Sequence, residues 1–166
     1  MTKFVEKEKD LTEKIIGAAI EVHREFGCGL KEDAYEAALC WELKQLGLRV
    51  KRQVPCPVIY KGIVLSEEDD HPKRIDILVE DRIVVELKAV PRNDSVFAAQ
   101  CLTYLKMLNL EVGLVLNFGF PTLKQGIRHV LNTKMVCQIT AQPAALNMEG
   151  TEARRHGEDL RVESEV

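Results

Sequence analysis

Apolar residues in the first part of the chain recur at helical spacing. Leu11, Ile15, Ala19, Val22 and Phe26 fall three and four positions apart, which predicts an amphipathic helix over 9–26. Gly27 and Gly29 break it. A second helix is predicted over 31–46, with Tyr35, Leu39, Leu43 and Leu46 on one face and Gly47 as its left-handed cap. The period then changes. Val50–Tyr60 is rich in β-branched residues, and Pro55 and Pro57 predict an edge or a bend there. Tyr60-Lys61-Gly62-Ile63 reads as a hairpin turn, and 66–72 as a polar, acidic loop.

Arg74–Val79 and Ile83–Val90 are strongly apolar and flank Glu80-Asp81-Arg82, so they predict paired strands. Asn93 or Asp94 caps a third main helix that runs to Asn109. Gly113–Phe118 is a continuous apolar run, the pattern of a buried strand. A short helix is predicted over Thr122–Leu131 and a last edge strand over Met135–Thr140. The alternation of helices and strands predicts an α/β domain over 1–140, a mixed sheet between helices. Residues 141–166 are expected to be a disordered acidic tail.

Composition narrows the class. The chain has 166 residues, 46% hydrophobic and 30% charged, which fits one globular domain. No run approaches the roughly 20 apolar residues of a membrane span, so no membrane partner is expected. The N-terminus MTKFVEKEKD has no apolar core of a secretory signal, so a cytoplasmic location is expected. The five cysteines are odd in number and widely spaced, with no CxxC, which argues against a disulfide framework or a zinc site. The net charge is −3, and all of it lies in 149–166, where six acids face three arginines. Charge therefore neither favours nor excludes nucleic acid as a partner.

The candidate chemistry lies on the paired strands. Asp76, Glu86 and Lys88 interrupt a segment apolar enough for the middle of a sheet. Burying charge without partners costs several kcal/mol, so such residues mark a site or a tight ion pair. Glu86 and Lys88 lie two apart and share a face. With a three-residue loop at Glu80–Arg82, Val79 faces Ile83, Ile77 faces Val85 and Asp76 faces Glu86. One face then carries Ile75, Ile77, Val79, Ile83, Val85 and Leu87; the other carries Asp76, Glu86 and Lys88. A two-residue loop would mix charge into the core, so the apolar pattern selects the longer one. Two carboxylates facing each other repel unless a cation lies between them, and oxygen ligands suit Mg²⁺ or Mn²⁺. The alternative is a structural salt bridge from Lys88 to Glu86 or Asp76.

D-x(9)-E-x-K on adjacent strands followed by a helix resembles the PD-(D/E)XK nuclease superfamily. Gln100 and Tyr104, four apart on the next helix, resemble the Q-x-x-x-Y motif of one of its branches. Gly29-Leu-Lys-Glu32-Asp-Ala-Tyr35, after IIGAAIEVHREFG, resembles the GxxExxY proteins of the same superfamily. The resemblance covers residues 10–132. It implies a restriction-endonuclease-like αβββαβ core, a mixed central sheet flanked by helices, with an extra N-terminal helix. It implies a metal-dependent nuclease that cleaves phosphodiester bonds through a metal-activated water, on DNA ahead of RNA. Asp76 and Glu86 would bind Mg²⁺ or Mn²⁺, with the backbone carbonyl of Leu87 and Glu32 as further ligands. Lys88 would orient the water or stabilise the transition state, and Gln100 would order the site. Tyr104 would contact substrate or pack beneath the site, and Arg74 and Arg92 would track phosphates. A homodimer or a partner protein would add contacts. The alternative function is a catalytically silent nucleic-acid-binding or assembly module that kept the fold. Trp41 and Tyr60 are read as packing residues, and His23 as a packed or capping histidine.

Overall fold

The computed structural model describes residues 3–61, 63–65 and 73–133, with side chains from residue 8 onward. The acidic loop at 66–72, the edge strand expected at 135–140 and the tail from 141 lie outside the described residues. Two helices come first, α1 (Lys3–Phe26) and α2 (Glu32–Gln45). Strand β1 (Val50–Pro55) is followed by a small hairpin, β2 (Ile59–Tyr60) and β3 (Ile63–Val64). Then come β4 (Arg74–Val79), β5 (Ile83–Lys88), α3 (Ser95–Leu108), β6 (Val112–Asn117) and β7 (Ile127–Leu131).

Among the described residues β1, β4, β5, β6 and β7 form one sheet in that order. β1, β4 and β5 make an antiparallel meander. β6 runs parallel to β5, and α3 supplies the crossover that a parallel pair requires. β7 closes the sheet antiparallel to β6. This is a mixed sheet with helices on both faces, the arrangement of a restriction-endonuclease-like fold. No helix among the described residues is long and apolar enough to cross a membrane.

Each face has its own core. Leu11, Ile15, Ala19 and Val22 of α1 and Tyr35, Leu39 and Leu43 of α2 pack on Ile77, Val79, Val85 and Leu87. Cys101, Tyr104 and Leu105 of α3 pack on Leu78, Val84 and Val115 from the other side. β5 is thus covered on both faces, which explains its near-continuous apolar run. The three-residue loop is present, with Val79 opposite Ile83 and Ile77 opposite Val85. Glu80 and Asp81 both take left-handed backbone there, at φ 53° and 56°, and pair with Arg49 and Lys51.

Several expectations need correction. Phe26 and Leu46 are exposed, because each stands in or just past the last turn of its helix, beyond the packed face. Trp41 and Tyr60, expected to pack, are 60% and 59% exposed. Thr122–Leu131 is not one helix. A short 3₁₀ turn at Leu123–Gly126 leads into β7, because the free edge of β6 offers a ladder to Ile127 and Val130. Ile75 packs with Cys56 and Leu78 in the second core rather than with Ile77 in the first. The facing of β4 therefore changes at Asp76. The capping expectation for α3 is met by Asp94, whose side chain accepts from Val96 N, and Asn109 ends the helix at φ 55°.

Gly113 of β6 lies directly under α3. A Cβ added there would stand 2.5 Å from Cys101 Sγ. Gly113→Ala should therefore destabilise the fold by roughly 1–3 kcal/mol in urea unfolding. Pairing it with Cys101→Ala should recover much of that loss, and strictly additive costs would place the clash elsewhere.

Candidate active site

The β4–β5 ladder ends at Ile77–Val85. One residue further, the strands have parted and the Asp76 side chain takes the place of a backbone partner. Its Oδ2 accepts the Leu87 N–H at 2.8 Å. The carboxylate thus lies in the seam between the strands rather than standing on a face of the sheet. Lys88 C=O accepts from Phe118 N at 2.6 Å, toward β6. Alternation along a strand then points the Leu87 N–H and C=O the other way, to the seam that holds Asp76.

Glu86 and Lys88 stand on the α3 face of β5, as their spacing predicts. Glu86 is 1% exposed, and Lys88 Nζ lies 2.5 Å from its Oε1. The same ammonium sits 5.4 Å over the Phe97 ring of α3. The structural salt bridge is therefore real, but it satisfies half of the carboxylate. Glu86 Oε2 is buried and has no hydrogen-bond partner among the described residues.

Electrostatics follow from this burial. Desolvation, and then the Asp76 charge, push Glu86 from 4.5 up to about 7, against the opposing pull of Lys88. Asp76 is also raised, chiefly by burial, although the Leu87 amide and Lys88 counter it. For Lys88 burial pulls downward, but the hydrogen bond and charge of Glu86 win and its pKa is raised. Two desolvated acids therefore share a pocket with one cation, an arrangement short of positive charge.

The family model of the PD-(D/E)XK nuclease superfamily matches residues 9–130. This chain belongs to that superfamily. No curated protein and no solved structure matches it significantly.

In this superfamily member the G-x-x-E-x-x-Y string has a concrete structural meaning. Gly27 and Gly29 take φ +65° and +123°, a turn that L side chains resist. The turn wraps the Tyr35 hydroxyl, which donates to Gly27 O at 2.8 Å and accepts from Leu30 N at 3.1 Å. The Tyr35 ring stacks on Phe118 at 4.4 Å. Glu32 thereby becomes the first residue of α2. It is exposed, because the first turn of α2 projects past the packed face. Its Oε1 accepts from Ala89 N at 3.2 Å. No group of three or more His, Cys, Asp or Glu gathers with metal-holding geometry among the described residues. The charge of Glu32 raises the pKa of both Asp76 and Glu86.

On α3, Gln100 donates to the Tyr104 hydroxyl at 3.2 Å. Tyr104 is 3% exposed and lies beneath the site, where burial raises its pKa and the charges of Glu86 and Asp76 add to the effect. Arg74 and Arg92 are exposed. Arg74 Nη1 also donates to Gln53 O at 3.0 Å. His23 is buried against Phe118, with Nε2 2.9 Å from Phe120 O.

Two polar residues of the site region were missed by pattern reading. Asn117, fully buried opposite Lys88, ties down the loop after β5. Its Oδ1 accepts from Val90 N and Gly119 N, and its Nδ2 donates to Arg92 O. Glu36 on α2 is buried and binds Arg52 Nε and Gln53 Nε2, both at 2.7 Å. Asn117 closes an apolar run where a polar residue reads as a strand end. For Glu36 the available signal was its place one turn after Glu32, among Tyr35 and Leu39.

A carboxylate whose folded pKa is raised stabilises the fold below its unfolded pKa, and that contribution is lost as pH rises through the folded value. For Glu86 this window runs from about 4.5 to about 7. Metal-free protein should lose thermal stability as pH climbs from 5 to 7, by on the order of a few kcal/mol. Glu86→Gln should flatten that slope. An equal slope in both proteins would show that Glu86 titrates normally.

Proposed function

We propose that this chain is a divalent-metal-dependent nuclease that hydrolyses phosphodiester bonds in nucleic acid, DNA ahead of RNA. The observation that carries the proposal is Glu86 Oε2, a buried carboxylate oxygen without a hydrogen-bond partner among the described residues. An unmet buried acceptor costs about 1–3 kcal/mol. Glu8 Oε2 is left in the same way beside Arg82, but of the two only Glu86 has a second desolvated acid, Asp76, raising its pKa. Together with Asp76 and the Leu87 carbonyl in the neighbouring seam, Glu86 Oε2 would offer the oxygen donors that suit a hard cation such as Mg²⁺ or Mn²⁺. That ion, when bound, would supply Lewis acidity toward a phosphoryl oxygen and a more acidic water.

The protein groups have separate tasks in this reading. Asp76 and Glu86 present the negative oxygens, and Asp76 also holds Leu87 so that its carbonyl faces the seam. Lys88 is stationed to hold the attacking water or to donate to the charge that develops on the phosphate. Phe97 keeps its ammonium near the site. Gln100 orders α3 through Tyr104, and Tyr104 packs underneath. Arg74 and Arg92 lie at the rim, where exposed guanidinium groups can track phosphates. Glu32 fixes Ala89 and adds to the field that demands a cation. The Gly29–Tyr35 string supports placement in the GxxExxY branch. A second copy or a partner protein would extend the contacts to nucleic acid.

The engaged Lys88–Glu86 pair favours a second reading, a silent nucleic-acid-binding module. One assay separates the two. Labelled single-stranded, duplex, flapped and four-way DNA, with matching RNA, is incubated with Mg²⁺, Mn²⁺ or EDTA. Wild type should cleave with metal only. Lys88→Ala should still bind Mn²⁺ by calorimetry yet lose at least about 10²-fold in turnover, whereas Glu86→Ala should lose both. Absence of metal binding and of cleavage in wild type would leave the silent module standing.

A further inference from the structure

The β1–β4 ladder has a gap. Arg52 pairs with Ile77 and Val54 with Ile75, but the intervening pair, Gln53 and Asp76, is missing from the run. Gln53 takes φ 48°, a left-handed conformation for a residue with a long side chain. Such conformations cost of order 1–3 kcal/mol and persist when their surroundings over-determine them. Here they do so from two directions. Arg74 Nη1 grips the Gln53 carbonyl at 3.0 Å. The Gln53 amide lies between two acids, 2.7 Å from Glu36 Oε2 and 3.5 Å from Asp76 Oδ1. Glu36 is in turn buried and held by Arg52.

A continuous chain therefore runs from α2 to the seam: Arg52, Glu36, Gln53, Asp76 and the Leu87 N–H. Glu36 cannot donate a hydrogen bond while ionised, so it fixes which end of Gln53 faces it. The amide nitrogen must point at Glu36, and its second N–H is then free to reach Asp76. The left-handed turn at Gln53 sends the side chain to that midpoint. In the regular alternation of β1 it would stand on one face of the sheet.

We propose that Gln53 is a positioning residue that, backed by Glu36, sets the orientation of the Asp76 carboxylate in the seam. The proposal about Asp76 geometry stands by itself, and its consequence for metal affinity rests on the nuclease reading above. Gln53 touches neither Glu86 nor Lys88 by hydrogen bond among the described residues, so it acts through Asp76.

The decisive variant is Gln53→Gly. Glycine prefers the backbone conformation found here, so the strain disappears together with the amide. A residue kept only for the fold should lose stability on this change. A positioning residue should show a thermal midpoint held within a few degrees while the seam loosens. The first readout is hydrogen exchange of the Leu87 amide in metal-free full-length protein, expected to quicken at least about tenfold, with the amides of Ile77 and Val85 unchanged. The second is Mn²⁺ affinity by calorimetry, expected to fall about 10–100-fold as for outer partners of metal ligands. Gln53→Asn, which also tolerates left-handed backbone, should fall between wild type and Gln53→Gly. In exchange at the Leu87 amide, Glu36→Gln combined with Gln53→Gly should be no faster than the glycine variant alone, whatever stability the lost Arg52 pair removes.

Unchanged exchange at Leu87 in Gln53→Gly overturns the proposal whatever the protein does with metal. So does an additive double variant. If the Leu87 amide loosens as expected but wild type neither binds Mn²⁺ nor cleaves nucleic acid, the positioning role stands and the nuclease reading fails.

Discussion

At the end of the β4–β5 ladder, a side chain stands in for a backbone strand. Asp76 accepts the Leu87 N–H at 2.8 Å after the regular pairing has stopped. That exchange opens a seam in the middle of the sheet without leaving the Leu87 N–H unsatisfied, which would cost free energy in a buried place. It also brings a carboxylate beside Glu86, and the two charges raise each other's cost. Everything polar nearby responds to that cost. Lys88 leans on Glu86, Phe97 supports Lys88, and Gln53 approaches Asp76 from the next strand.

The apolar layers make this tension sustainable. α1 and α2 seal one face of the sheet and α3 the other. A site on two-sided strands has little freedom to relax, because its neighbours are close-packed. The same burial that stiffens the site desolvates it, and desolvation is the leading cause of the raised pKa of Glu86 and of Asp76. Core and chemistry are thus two consequences of one placement. Moving the carboxylates to an edge strand would relieve the electrostatic cost and lose the demand for a cation.

Helix α2 contributes more than packing. Its start is set by the glycine turn around the Tyr35 hydroxyl, and its first two turns carry Glu32 and Glu36 toward the seam from one side. From the other side α3 brings Gln100 and Tyr104 under Glu86. Asn117 ties the loop after β5 to the end of β6. The seam is therefore held from three elements that are distant in sequence.

Local pattern was enough for much of this. Helical period placed α1 and α2, a capping residue placed α3, and the apolar alternation of Arg74–Lys88 selected the three-residue loop, because a one-residue slip would have buried charge in the core. The spacing of two put Glu86 and Lys88 on one face; the register set Asp76 opposite Glu86 on that face, whereas the ladder stops one pair earlier and Asp76 turns into the seam. The ordered motifs named the superfamily that the family match then bore out. What the chain order could not determine is what depends on distant partners. β7 is a strand rather than a helix because the edge of β6 waits for it. Glu32 is exposed while Glu36 is buried, since only packing of α2 on the sheet decides which turn is covered. The Asp76 carboxylate lies in a seam, and Gln53 turns left-handed beside it, because two strands must part there. Side-chain period is a local property and can be read from one segment; the fate of a hydrogen-bonding group is settled by whichever group the fold brings opposite it.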